Sequence, residues 1–356
     1  MIWLVWRQFR VQVAVVFGLV GVIAVVLAVT GPNLVHLYDT TVATCQAHGD
    51  CSAVTNAFTR DDGFLQKLGT VLTTIVAALL GMFWGAPLVA RELETGSYRL
   101  AWTQSATRTR WLAVKLGLLG LASVLVAGLL SLMVTWWSSP IDRVTMNLYS
   151  TFDQRGIVAI GYAAFAFVLG VTAGVLIRRT LPAMAATLVA FVAVRLSFSA
   201  FIRPHLIAPI RDVTPINPMV MGFGSFNGGA PMLLPNPPNL PNAWIYTTEI
   251  VTRSGHALTA PQLAHACPNL VALGPGGGAS GSSGLSAQRS VRPAPAAMQQ
   301  ALHNCVAKLS TTYHQVTTYQ PSSRYWDFQG LETAVYVALA LVLGAACFWW
   351  VRHRLA

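Results

Sequence analysis

Side chains that can do chemistry are sparse in this chain and gathered in a few places. Between two long apolar runs it reads ARELETGSYRLAWTQSATRTRWLAVK, Ala90 to Lys115, with seven charged residues in a chain where only 10% are charged. Elsewhere the usual equipment is missing. Lys67, Lys115 and Lys308 follow no glycine-rich loop, so the chain lacks a phosphate-cradling P-loop of its own. The G-x-S-x-G and H-E-x-x-H patterns are absent too. His256, His265, His303 and His314 are scattered without ligand spacing, and no metal site is expected. No Asp, Glu or His is expected deep in an apolar run, which removes the groups an intramembrane protease or proton-coupled carrier would use. The chain therefore reads as something other than an enzyme.

Two further sets of residues stand out. Arg195 interrupts an apolar run about fourteen residues from its start, roughly 21 Å along a helix. Such a charge is costly in hydrocarbon unless it snorkels to the headgroups or finds a partner. Glu332, at the start of the last apolar run, is the candidate partner, and both alternatives stay open. Cys45 and Cys51 lie in one connecting segment and Cys267 and Cys305 in another, while Cys347 falls in an apolar run. Two pairs on an oxidising side suit two disulfides, 45–51 and 267–305, although crossed pairs or free thiols fit the same sequence.

The elements that position these residues follow from hydropathy. With 54% hydrophobic residues, the chain has the composition of an integral membrane protein. A hydrocarbon core of about 30 Å needs about 20 apolar helical residues. Uncharged runs at 13–38, 68–90, 116–141, 156–177 and 333–351, together with 181–202 around Arg195, meet or approach that length. The fold class is an all-α polytopic membrane protein with six transmembrane helices and both termini cytoplasmic. An irregular, disulfide-stapled exoplasmic cap is expected between helices five and six. The first apolar run is longer than a signal-peptide core and is read as a retained helix.

Along the chain, residues 1–12 form an interfacial segment or a plain basic flank, carrying Trp3, Trp6, Arg7 and Arg10. Residues 13–203 hold helices one to five, with a cytoplasmic connector at 90–115. Residues 204–330, rich in Pro and Gly and including the low-complexity run GPGGGASGSSG, make the cap. Residues 331–356 make helix six and a basic tail.

Charge distribution supports this orientation. Arg7, Arg10, Arg91, Arg99, Arg108, Arg110, Lys115, Arg178, Arg179, Arg352 and Arg354 fall on the side of the N-terminus, opposed only by Glu92 and Glu94, a sum of +9. The other side, with Arg195, carries only +2 of the total +11. That is the positive-inside asymmetry, so the basic balance reports topology rather than a nucleic-acid partner.

The asymmetry explains the arginines of the Ala90–Lys115 connector but not its other residues. Val89–Thr95 can continue helically, Gly96 can end that helix, and Ser105 or Thr107 can cap the next one. Leu93, Tyr98, Leu100 and Trp102 alternate with charges, as in an amphipathic docking element.

The run GAPLVARELETGSYRLAWTQSATRTRWLAVK resembles the region between spanning helices two and three of ABC-2 type transporter permeases, particularly the actinobacterial subfamily. YQPSSRYWDFQGLE and WWVRHRLA resemble the flanks of helix six in the same subfamily; residues 204–315 share little with it. The resemblance implies a bacterial plasma-membrane permease whose connector docks a separate ATP-binding subunit. Arg91, Glu92, Glu94, Gly96 and Arg99 would form that contact, and Arg108 and Arg110 would start helix three. It implies two ATP-binding subunits, which carry ATP and Mg, and a second permease in a homodimer or heterodimer. The implied activity is export of a hydrophobic or amphipathic compound such as a drug, lipid or peptide. The competing reading is a membrane sensor or accessory protein whose cap binds a signal and whose connector docks another partner.

Overall fold

A computed structural model of the chain describes residues 2–46, 73–96, 107–216, 221–225, 231–235, 240–269 and 296–354. It divides into two compact units, Met1–Ala208 with Ser323–Ala356, and Pro209–Ser322.

Six helices of the first unit are long and apolar enough to cross a membrane. Helix α1 (Ile2–Leu37) passes into a π-helical turn at Tyr38–Ala43. Residues 2–12 are its first turns, because nothing in that stretch breaks a helix. Helix α2 (Thr73–Thr95) is followed by α3 (Arg108–Thr145), a 3-10 turn (Leu148–Gln154) and α4 (Val158–Ile177). Helix α5 (Thr180–Ser197) continues through a π-helical turn at Phe198–Ile202 and a 3-10 turn at Arg203–His205. Helix α8 (Tyr325–His353) follows the second unit. Helix α3 reaches Thr145, one turn past the end of the apolar run 116–141.

Apolar on every side, α4 takes the centre, packed by α2, α3, α5 and α8. Helix α1 is the reverse case. It packs chiefly on α3, tied there by a Trp137 Nε1 donation to Thr30 Oγ1 at 3.0 Å, and leaves Val15, Leu19, Val22 and Val29 exposed. In a bilayer those valines and leucines face lipid at no cost.

Helices α2 and α4 approach unusually closely. A Cβ on Gly170 would lie 2.2 Å from the Gly81 carbonyl oxygen, and one on Gly85 would lie 2.4 Å from the Phe167 carbonyl oxygen. Gly81 and Gly85 on α2 oppose Gly170 and Gly174 on α4, two G-x-x-x-G pairs whose missing side chains let the backbones meet. The π-helical turn Leu80–Gly85 ends just before Pro87. Proline supplies no N–H to the ladder, and the helix changes pitch locally beside it.

The second unit contains more regular structure than its composition suggests. Strands β1 (Ile210–Thr214), β4 (Trp244–Thr252) and β5 (Tyr313–Gln320) form an antiparallel sheet in the order β1-β5-β4. Strands β2 (Met221–Ser225) and β3 (Pro231–Pro235) pair separately. Helix α6 (Ala260–Ala266) opens on a Thr259/Gln262 capping box, and α7 (Ala296–Leu309) packs with it over Leu263, Val306 and Leu309. Cys267 and Cys305 are bonded within this core. The unit spans 209–322, inside the 204–330 expected for the cap.

Candidate functional site

Polar side chains gather at both ends of α5. At its N-terminal end, helix α2 runs on past the apolar seam to Thr95 and stops at Gly96, whose φ of +71° is the left-handed conformation that glycine tolerates. Helix α3 starts where Thr107 Oγ1 accepts the Arg110 N–H at 3.3 Å. The two acids of the α2 end both find partners within the chain. Glu92 forms an ion pair with Lys115 of α3, which is 1% exposed. The Lys115 ammonium also approaches the Leu88 carbonyl at 3.4 Å and lies 4.5 Å from the Trp111 ring centre. Glu94 Oε2 accepts both the Thr180 N–H at 3.0 Å and the Thr180 hydroxyl at 2.7 Å. The residue at the N-cap of α5, Arg179, makes no side-chain cap. A carboxylate from another helix therefore caps α5, satisfying an orphan N–H and facing the positive end of the dipole.

Of the residues expected to dock a partner, Arg91 and Arg110 are exposed, while Glu92 and Glu94 are engaged within the chain. Arg108 is the first residue of α3, and Arg99 lies outside the described residues, as do Tyr98, Leu100 and Trp102.

At the other end of α5 lies a buried charge cluster. Arg195 Nη2 is 2.5 Å from Asp153 Oδ1, and its Nη1 is 3.6 Å from Glu332 Oε1. Arg203 makes the closer contact with Glu332, through Nε at 2.8 Å and Nη2 at 2.9 Å, and also reaches Asp153 at 2.5 Å. The Tyr162 hydroxyl donates to Glu332 Oε1 at 2.5 Å. Arg195 stacks over the Tyr162 ring at 4.1 Å, and Arg203 lies over Phe152 at 4.6 Å. Two guanidiniums and two carboxylates balance to zero, which is how charges survive burial. Glu332 is 0% exposed and Arg195 6%. The acid at the start of the last apolar run is thus enclosed by protein.

The local fold explains the cluster. Eight residues separate Arg195 and Arg203, which an unbroken α-helix would place about 80° apart around its axis. The π-helical turn between them, in which the Arg203 N–H bonds the Phe198 carbonyl, absorbs one residue. The two arginines are in effect a heptad apart and share a face to within about 20°. Next to them, Arg155 pairs with Asp142 and donates to Ser138. Gln329 of α8, also 0% exposed, accepts the Val158 N–H at 3.0 Å and donates to the Phe152 carbonyl at 3.0 Å, completing the broken backbone before α4. Sequence reading missed Arg203, Asp153, Tyr162 and Gln329. Asp153 falls between the apolar runs 116–141 and 156–177, and Arg203 just past the run 181–202, where neither reads as part of a buried site.

Of the cysteines, Cys267 and Cys305 are bonded to each other and Cys45 is disulfide-bonded, whereas Cys51 lies outside the described residues. Cys347 is a free, buried thiol 3.2 Å from Thr172 Oγ1. Among the described residues no group of three or more His, Cys, Asp or Glu is placed to hold a metal.

A family model described as ABC-2 membrane transporter related matches residues 17–203, more than half of the chain, from within α1 to Arg203. Searches of curated proteins and of solved structures each return no significant match. With six apolar spans and that match, the chain belongs to the ABC-2 membrane transporter related family and is a transporter permease, a multi-pass protein of the bacterial plasma membrane.

Proposed function

We propose that the chain is the membrane-spanning subunit of an ATP-driven exporter, energised by a separate ATP-binding subunit that docks at the α2–α3 connector. ATP and Mg belong to that partner, in keeping with a chain that carries no P-loop. Two such subunits and two permeases make the working assembly. The observation that carries this reading is the joinery at the connector end. Glu92 ties α2 to α3 and Glu94 ties α2 to α5, so a push on the connector reaches three spanning helices together. A docked ATPase that changes shape on binding and hydrolysing ATP would shift those helices between two arrangements of the bundle.

A hydrophobic or amphipathic substrate, a drug, lipid or peptide, suits the apolar surfaces. The charge clusters described are internally neutralised, and a groove of about 360 Å³ between α1 and α2 is lined by Val15, Leu19, Leu79, Phe83 and their apolar neighbours. The folded insert, with a sheet and core of its own, favours the alternative of a sensor or accessory protein. Inside-out vesicles bearing the chain and a co-purifying ATP-binding subunit separate the two. The exporter reading expects ATP-dependent accumulation of a lipophilic dye or fluorescent lipid, lost on mutating the partner's nucleotide site. No nucleotide-binding subunit, and no ATP-dependent movement of any such probe, would overturn it.

A further inference from the structure

The groove between α1 and α2, of about 360 Å³, has exposed walls and a closed floor. Val11, Val15 and Leu19 of α1 make one wall, and Leu79 and Phe83 of α2 make the other. Leu80 and Trp84, each 3% exposed, close the bottom. Val11 and Leu19 lie eight residues apart on one helix, so the groove runs for about 12 Å along it. Helix α1 packs chiefly on α3, which leaves this side of it without a protein neighbour. The walls offer water almost nothing to bond, so in a bilayer the slot takes hydrocarbon.

Charge marks one end of the groove. Arg7 lies one helical turn before Val11 and continues the ridge of Val15 and Leu19, about 6 Å beyond the groove. On α2, the π-helical turn Leu80–Gly85 absorbs one residue. The twelve residues from Leu79 to Arg91 therefore turn as eleven, three full turns and about 20°. Arg91 shares the ridge of Leu79 and stands about 10 Å beyond Trp84. Both arginines are exposed. One precedes the apolar span that starts at Phe9 and the other lies in the last turns of the span that ends at Thr95, the level of phospholipid headgroups. Glu92, the acid beside Arg91 in sequence, is paired with Lys115. Gln12 lines the groove at this same end.

We propose that the groove holds an acyl chain of an anionic phospholipid from the connector-side leaflet, with the lipid phosphate drawn to Arg7 and Arg91. Apolar walls bind the chain and the two arginines select the headgroup. The lipid is a resident that fills the space between α1 and α2, not the transported compound, so the inference stands apart from the exporter reading. A zwitterionic lipid fills the slot but brings the arginines no net charge. A second copy of this chain fits worse. A twofold axis along the membrane normal would set the basic end of the groove against its own copy, like charge against like.

The test places the full chain, with any subunit that co-purifies, in phosphatidylcholine nanodiscs containing phosphatidylglycerol with a diazirine on its acyl chain. After illumination, adducts are mapped by peptide mass spectrometry. They should concentrate in residues 11–19 and 76–84, and unlabelled phosphatidylglycerol should compete them away better than phosphatidylcholine does. L19W/L79W, which fills the groove, should lower these adducts at least tenfold with the melting temperature unchanged. V15W serves the same purpose if the double variant folds poorly. R7Q and R91Q should each lower the preference for phosphatidylglycerol about fivefold while leaving adducts from a diazirine phosphatidylcholine unchanged. Adducts spread evenly over all lipid-facing helices, or unchanged in the folded groove-filled chain, overturn the inference. So does loss of the groove adducts on adding ATP, which would assign the groove to transported cargo. Disulfide-linked dimers of a V15C chain in native membranes would assign it to a second copy and overturn it too.

Discussion

The two ends of α5 solve the same problem in different ways. At the α2–α3 connector, acids of one helix reach partners on two others, and Glu94 is open to solvent. At the end leading into the insert, Arg195 and Arg203 share Asp153 and Glu332 in a network with Tyr162 that is closed around Glu332 and half-buried at Asp153. The exposed Glu94 exchanges its partner for water at little cost, so the tie between α2 and α5 can be remade, whereas the Glu92–Lys115 pair is buried. A largely buried cluster of paired charges loses much more when one member goes, because the remaining charges lose their counter-ion away from water. The difference suits a permease driven from one side, with an adjustable joint where force would enter and a fixed one where the helices must stay registered.

The largest effect should come from the enclosed end. Glu332→Gln leaves two buried arginines facing one carboxylate and should cost about 3–5 kcal/mol, read as a loss of thermal stability in detergent. A smaller loss there, comparable to that of an exposed pair, would show that water reaches the cluster. Next, C267S/C305S should cost about 2–5 kcal/mol, confined to the insert's own unfolding, with the spanning helices unaffected by circular dichroism. Gly170→Leu forces the α2–α4 seam apart and should cost about 1–3 kcal/mol. A Gly117→Ala control, where an added Cβ meets nothing within 4 Å, should be nearly neutral. A small effect on stability also belongs to Glu94→Gln, which still accepts from Thr180 but drops the charge at the helix end. It should change ATP-dependent transport more than it changes melting, and the opposite ranking would remove the contrast between the two ends.

Much of the spanning architecture is legible in the chain because bilayer thickness converts directly into uninterrupted apolar runs. Thr107 and Gly96 are legible too, since capping chemistry is local. The charge cluster is legible only in part. Arg195 and Glu332 stand out as charges in or beside apolar runs, but Asp153 sits in a short segment that reads as solvated, and Arg203 falls off the face of Arg195 when counted at 3.6 residues per turn. Only the π-helical turn brings the arginines together, and no simple periodicity announces it. The partners of Glu92 and Glu94 were hidden for another reason. Both are surface-type acids in a basic connector, and only the packing of α2 against α3 and α5 shows that they bond within the chain. In the insert, the alternating Val, Thr and Tyr residues of β5 carry a strand signal that the surrounding Pro, Gly and Ser runs mask.

The most direct test of the central claim is photolabelling of the purified assembly with 8-azido-ATP, followed by separation of its polypeptides. The account predicts label on a distinct, stoichiometric partner and none on this chain. Label on this chain, or an assembly with no labelled partner, would contradict it.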